Sequence, residues 1–364
     1  MNNKLINSYN NNVIKERKQN NIMKIRNLFV ILITLFASIG LIACKEGKQK
    51  ITICEVAHSV FYAPMYVAIE LGYFEEAGLT VELVNGNGAD KVMTALLSGD
   101  AQFGLMGPEA SIYVYLEGQE NYAINFAQLT RTDGSFIVGR EEDQNFNLNK
   151  LKGKSILGGR KGGVPEMTLE YVLKKAGLTV GQDDETVLES GGVLVRTDIQ
   201  FAAMAGAFTS GEGDYTTLFE PTATSLVNSQ KGYIVASVGE YVGDVPYTSF
   251  SVLKNYMNEN DETIQLFTDI IYKGQLWVLS HTAKEIAEVI HPQFISNTVD
   301  ELTTVMQRYI DVNAWCNNPY FKESSLNNLM DIMKEANELK ENVPYNKIVN
   351  TKYAENSMNK NVKW

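Results

Sequence analysis

From Ile51 onward the chain alternates between two hydrophobic periods. Ile51–Val56 is almost continuously apolar and Leu79–Val84 alternates apolar with polar, both strand patterns. Helical stretches lie among them: Tyr62–Leu71 closed by Gly72, Asp90–Ser98 stopped by Gly99, and Pro108–Leu116 stopped by Gly118. Ala101–Met106 and Tyr122–Leu129 complete a first set of strands. A second set has strands at Ser135–Arg140, Ser155–Leu157, Val193–Arg196, Tyr215–Leu218 and Ile234–Val238, with helices at Pro165–Lys175 and Ile199–Ser210. Phe250–Leu253 reads as a last strand. Residues 262–340 are helical, with apolar spacing at Ile264, Phe267, Ile270 and Ile271 and again at Leu302, Val305, Met306 and Tyr309. Strands separated by helices of about ten residues predict βαβ units, hence an α/β fold of mainly parallel sheets flanked by helices. Two such sets, the second inserted within the first, predict two lobes. One comprises residues 51–132 and 249–345, the other residues 133–248, and a polar, peripheral tail follows at 346–364.

The pattern before residue 51 is different. Lys24 and Arg26 precede an apolar run, Leu28–Ala43, of 16 residues, and Cys44 follows it. A basic patch with an apolar stretch shorter than the ~20 residues of a spanning helix is the form of a secretory signal. Residues 1–43 are therefore excluded from the fold, and residues 44–50 read as a short polar tether. Met23 suits a signal of ordinary length better than Met1 as the point where translation starts.

Composition narrows the function. The chain of 364 residues is 45% hydrophobic and 21% charged, ordinary for a globular protein and long enough for two domains. Its net charge of −11 is unevenly spread: residues 1–43 carry six Lys or Arg against Glu16, a net of +5, which leaves −16 on the rest. So acidic a body repels phosphate backbones, which argues against nucleic acid as a partner. Three Cys and three His are too few for a disulfide framework or a His/Cys zinc cluster, so no metal or cofactor is expected. Cys54, inside an apolar strand, and Cys316, after Trp315, read as small buried residues; a disulfide between them is the alternative.

Several stretches carry a resemblance when taken in order. Leu41-Ile42-Ala43-Cys44 resembles the bacterial lipoprotein box. Pro64-Met65-Tyr66-Val67-Ala68-Ile69-Glu70-Leu71-Gly72-Tyr73-Phe74-Glu75-Glu76-Ala77-Gly78-Leu79 resembles the opening of bacterial solute-binding proteins of the nitrate/sulfonate/taurine and thiamine-pyrimidine-precursor superfamily. These proteins feed ATP-binding-cassette (ABC) importers. Thr94–Gly104, with Gln102 where Asp is common, Leu151–Ile156 and Phe219-Glu220-Pro221 are similar to later elements of that family, so the resemblance spans about residues 50–340. It implies a two-lobed periplasmic-binding-protein-like fold (type II) that closes on one small ligand and docks on a permease. It also implies a monomer, extracytoplasmic and lipid-anchored through Cys44. The chain departs from the thiamine-precursor branch at Tyr62-Ala63-Pro64, where that branch tends to carry a His before the helix. It also lacks the clustered cysteines of the related eukaryotic pyrimidine synthases.

In open α/β sheets ligands bind beyond the C-terminal strand ends, so the loops there supply the candidate site. His58, Phe61 and Tyr62 follow the first strand, and their rings can stack on a planar ligand. Asn87 and Gly88 lie in the turn Asn85-Gly86-Asn87-Gly88, where glycine lets backbone approach a ligand. Gly107 and Glu109 follow the third strand; Glu109 either caps its helix electrostatically or accepts N–H bonds in the cleft. Arg131 supplies a cation or forms a hinge ion pair. Gly162, Gly163 and Val164 end the loop Gly158–Val164, a donor-rich rim before a helix suited to an anionic or carbonyl group, in which Arg160 and Lys161 either belong to that rim or are solvated or docking residues. Glu220 is expected to face the first lobe. Crossovers at Thr132–Gly134 and Val245–Thr248 would form the hinge, and Tyr247 on the second is a further candidate. No Gly-x-Ser-x-Gly elbow and no Cys beside a base occurs, so no catalytic residue is expected. Glu109 and Glu220 as acid and base of a hydrolase is the enzymatic alternative.

Two anionic or acceptor-rich carboxylates beside aromatic rings suit a neutral or cationic planar molecule with N–H donors, such as an aminopyrimidine. Sulfonate, taurine or nitrate is the alternative, with Arg131 neutralising Glu109 and the glycine loop holding the anion.

Overall fold

The computed structural model describes residues 48–182 and 185–360. The chain divides into two units, Met1–Gln49 and Lys50–Trp364, and of the first only Lys48 and Gln49 are described. The expected signal segment and Cys44 lie outside the described residues. Among those described, no helix is long and apolar enough to cross a membrane.

The expected α/β architecture is present, as two mixed sheets flanked by helices. The first sheet has strands β1 (Gln49–Glu55), β2 (Leu79–Asn85), β3 (Phe103–Met106), β4 (Ala123–Thr130) and β11 (Thr248–Leu253), in the order β2-β1-β3-β11-β4. The second has β5 (Ser135–Gly139), β6 (Ser155–Leu157), β7 (Val180–Gln182), β8 (Val193–Arg196), β9 (Tyr215–Phe219) and β10 (Tyr233–Ser237), in the order β10-β5-β9-β6-β8-β7. Continuous apolar runs mark strands covered on both sides: every residue of β3 and of β5 is buried. The alternation in Leu79–Val84 marks β2, at one edge of the first sheet.

The sheets are less parallel than expected. β1 pairs parallel with β3, but β11 is antiparallel to both β3 and β4, and β5 is antiparallel to β9 and β10. Chain path explains β11. β4 ends at Thr130 where the chain leaves for the second sheet, and β11 begins at Thr248 opposite it. A strand that returns through the crossover starts where its neighbours end and must run the other way.

The helices that matter for the site are α1 (Ala63–Glu70), α2 (Ala89–Ser98), α3 (Glu109–Leu116), α4 (Val164–Lys175) and α5 (Thr222–Asn228). The C-terminal part supplies α6 (Asp261–Ser280), α7 (Ala283–Ile290), α8 (Val299–Asp311), α9 (Glu323–Glu335) and α10 (Lys352–Asn359). α7 and α8 each start with a capping box, Thr282 with Glu285 and Thr298 with Glu301, a local signal worth about 1 kcal/mol for the cap residue. Gly274 in α6 lets that helix touch α1, since a Cβ there would lie 2.2 Å from the Pro64 carbonyl oxygen. Phe103 and Phe267 stack at 4.2 Å beneath the first sheet.

The segment expected as a peripheral tail is packed instead. Ile348, Tyr353 and Ala354 are buried, Val349 bridges to Asn125 of β4, and Lys352 pairs with Asp261 at 2.6 Å. Its polar average hid one apolar face of a helix, which is enough to dock it. Cys54 and Cys316 are both free and buried.

Candidate functional site

A cavity of about 90 Å³ opens at the strand ends between the two sheets. Each wall is a loop that follows a strand. Val56, Ala57, Ser59 and Tyr62 come after β1, Gly88 and Ala89 after β2, and Gly107 and Glu109 after β3. Opposite them stand Gly159, Arg160, Gly163, Val164 and Pro165 after β6, Phe201 after β8, and Phe219 at the end of β9. Tyr247 and Thr248 of the returning crossover complete the lining.

Seven of the residues expected at the site therefore meet around one cavity: Tyr62, Gly88, Gly107, Glu109, Gly163, Val164 and Tyr247. Glu109 is the focus. It opens α3, is 2% exposed, and its Oε2 has no hydrogen-bond partner. Burial pushes its pKa up to about 7, while the amides of Glu109, Val164 and Ala110 and the Arg160 charge draw it back. The Tyr247 hydroxyl is likewise buried without a hydrogen bond of good geometry, although it lies close enough to Asp133 to feel that charge; its pKa is driven well up, by burial first. Asp133 itself is buried in the first crossover. It accepts from the Ser135 amide at 2.7 Å and from Thr168 Oγ1, and burial raises it to about 6.

The other six expected residues have other work. His58 bonds Glu55 Oε1 at 2.8 Å and the Gln293 carbonyl at 2.9 Å, and stacks on Phe294, away from the cavity. Its pKa is raised by the bond to Glu55. Phe61 is fully buried behind the lining: its ring seats on Gly134, where a Cβ would meet it at 2.5 Å, and lies 5.8 Å from both Phe219 and Tyr247. Asn87 is exposed in a left-handed turn held by Asn85 Oδ1. Gly162 braces the glycine loop, donating to Glu166 Oε2 at 3.0 Å and accepting from the Tyr113 hydroxyl at 2.9 Å.

Two corrections bear on the chemistry. Arg131 pairs with Asp244 at 3.4 Å beside a separate polar depression near Cys316 and Lys322, so it does not neutralise Glu109. Glu220 is held by Arg308 Nη1 at 2.6 Å, the Thr224 amide at 2.8 Å and Thr224 Oγ1 at 2.9 Å, and does not line the cavity. The acid–base pairing of Glu109 with Glu220 is thereby lost.

Among the lining residues outside the sequence-expected set are Phe201 and Phe219, and Arg160, for which the sequence leaves a place in the rim or a solvated or docking role equally open. Phe219 belongs to the Phe219-Glu220-Pro221 motif, in which the charged Glu220 is the more conspicuous ligand group. Phe201 and Phe219 now lie 5.6 Å apart as an aromatic wall, with Phe219 5.9 Å from Tyr247. Arg160 reaches toward Asp90 of α2 at 3.8 Å, across the cavity mouth. It is exposed, and no local pattern in the sequence distinguishes it from Lys161.

Comparison with known proteins gives a consistent picture. The profile described as NMT1/THI5 like matches residues 60–285. YtlA of Bacillus subtilis (strain 168), which is named as a binding protein, is 41% identical over 329 residues, covering 90% of this chain and 96% of YtlA. Among solved structures, the ligand-binding component of an ABC-type import system from Staphylococcus aureus, with zinc bound, superposes with a TM-score of 0.67 at 15% identity, covering 85% of this chain and 99% of that one. The alkanesulfonate-binding protein SsuA from Xanthomonas axonopodis pv. citri, bound to MOPS, gives 0.64 at 14% identity, covering 85% and 100%.

Proposed function

The chain belongs to the NMT1/THI5-like family, and from that premise we propose that it is an extracytoplasmic solute-binding protein that delivers a small molecule to an ABC importer. We further propose that it is tethered through acylated Cys44, that its two lobes, divided near residues 133 and 248, close on the ligand, and that it has no catalytic role.

The ligand in this reading is a neutral or cationic planar heterocycle of the aminopyrimidine kind. The observation that carries it is Glu109, a buried carboxyl group with an unpartnered oxygen in a cavity walled by Tyr62, Phe201, Phe219 and Tyr247. A carboxylate there favours an N–H donor and opposes an anion. Aromatic faces favour a flat ring.

A second reading, an aliphatic sulfonate, is favoured by Arg160 and the glycine backbone on the opposite wall. Calorimetry with 4-amino-2-methylpyrimidine and with methanesulfonate separates the two. Saturable binding of the aminopyrimidine, weakened by about 1.5–3 kcal/mol in Glu109→Gln, is the expected result. Tight binding of methanesulfonate with no response to the aminopyrimidine would replace the ligand and leave the transport role. Recovery of a chemically altered ligand after incubation would replace the transport role itself.

A further inference from the structure

The first turns of α3 and α4 converge on Gly107. A Cβ at Gly107 would lie 2.0 Å from Glu109 Oε2 and 2.9 Å from Val164 Cγ2, and Glu109 and Val164 are the opening residues of the two helices. Two helix N-termini aimed at one point ordinarily attract an anion, because their free N–H groups and macrodipoles reinforce each other. Here the chain occupies that point itself. The Glu109 side chain folds back over Gly107 instead of extending, and the amides of Glu109, Ala110 and Val164, together with Arg160, all act on its carboxyl group. Its Oε2 remains buried and unpartnered, which a buried oxygen seldom is.

We propose that the Glu109 carboxyl group, whichever protonation state it holds, itself fills the helix-terminus site, so that this cavity turns oxyanions away. The inference rests on the solute-binding reading and deepens it, since it makes Glu109 the residue that decides ligand charge. Gly107 is its positioning partner, leaving the room in which the carboxyl group sits. Specificity is then obtained by occupying the competitor's place, not only by contacts to the preferred ligand.

The prediction is a gain of binding. Purified wild-type protein and its Glu109→Ala and Glu109→Ser variants are titrated calorimetrically with methanesulfonate and, separately, with 4-amino-2-methylpyrimidine, their fold checked by circular dichroism. The wild type gives no saturable heat with methanesulfonate, and the variants bind it at least about tenfold more tightly. A folded variant that gains nothing, or a wild type that already binds methanesulfonate tightly, overturns the inference. If neither variant folds, the wild-type titration decides: rejection supports the self-filled site and tight binding overturns it. Failure of the aminopyrimidine reading is distinguishable, because there the wild type ignores the aminopyrimidine while Glu109→Ala still acquires methanesulfonate.

Discussion

Glu109 Oε2 stands 2.0 Å from the point where a Cβ on Gly107 would be, so the carboxyl group and any side chain at position 107 exclude each other. The glycine is required by space: its φ is not in the left-handed region. Gly107→Ala should therefore drive the carboxyl group out of its niche and lower stability by about 1–3 kcal/mol, as overpacking does. The double variant Gly107→Ala/Glu109→Ala should recover most of that loss. Equal denaturation midpoints for the Gly107→Ala single variant and the wild type would show that the niche is not tight.

Glu109 also predicts a dependence of stability on pH. Its pKa is about 7 in the folded protein against an ordinary 4.5. The folded state thus holds the proton more tightly, and the associated stability is complete below pH 4.5 and lost as pH rises through 7. The loss is on the order of 3 kcal/mol. Asp133, raised to about 6, acts in the same direction, so the comparison has to be against Glu109→Gln, which keeps Asp133. The wild type should be more stable relative to Glu109→Gln at pH 5 than at pH 8, by urea denaturation. A difference that stays constant between the two pH values contradicts the burial of an ionisable group.

Arg308 of α8 closes on Glu220 at 2.6 Å, with the Glu220 side chain fully buried. Removing the cation leaves an uncompensated buried carboxylate, which costs about 3–5 kcal/mol in comparable pairs. Arg308→Met should lose stability on that scale, whereas Arg308→Met/Glu220→Gln should lose much less. Calorimetric affinity for the aminopyrimidine should change little in the double variant, because Glu220 does not line the cavity. A large affinity loss with intact stability would return Glu220 to the binding site.

Cys44 predicts membrane association. Replacing it with Ser should release the protein from the membrane fraction or leave an unprocessed precursor, read by fractionation and intact mass. A Cys44→Ser protein that sediments with membranes at the mature mass contradicts lipid anchoring at that residue.

Strand and helix order, the glycine punctuation and the strand-end loops were written in local sequence. An apolar run such as Ile51-Thr52-Ile53-Cys54 has few conformations that bury it, and the stop at Gly99 needs only its own backbone. That local logic also placed Glu109 at a helix start beside the cleft. Partners far apart in the chain were beyond it. Glu220 and Arg308 are 88 residues apart, and only the packing of α8 against the second sheet's loops turns an expected ligand group into a buried ion pair. Arg131 finds Asp244 on the other crossover, and His58 finds Gln293. A charged side chain reaches whichever opposite charge or polar atom folding brings within a few ångströms, and no periodicity records that distance. The sequence by itself determined that the loops after β1, β2, β3 and β6 border the cavity, but not that the loop after β8 joins them through Phe201 or that Arg131 after β4 stays away. Tertiary structure alone decided which side chains on those loops are left without a partner, and in a buried site the unpartnered groups are those with bonding capacity to spare for a ligand.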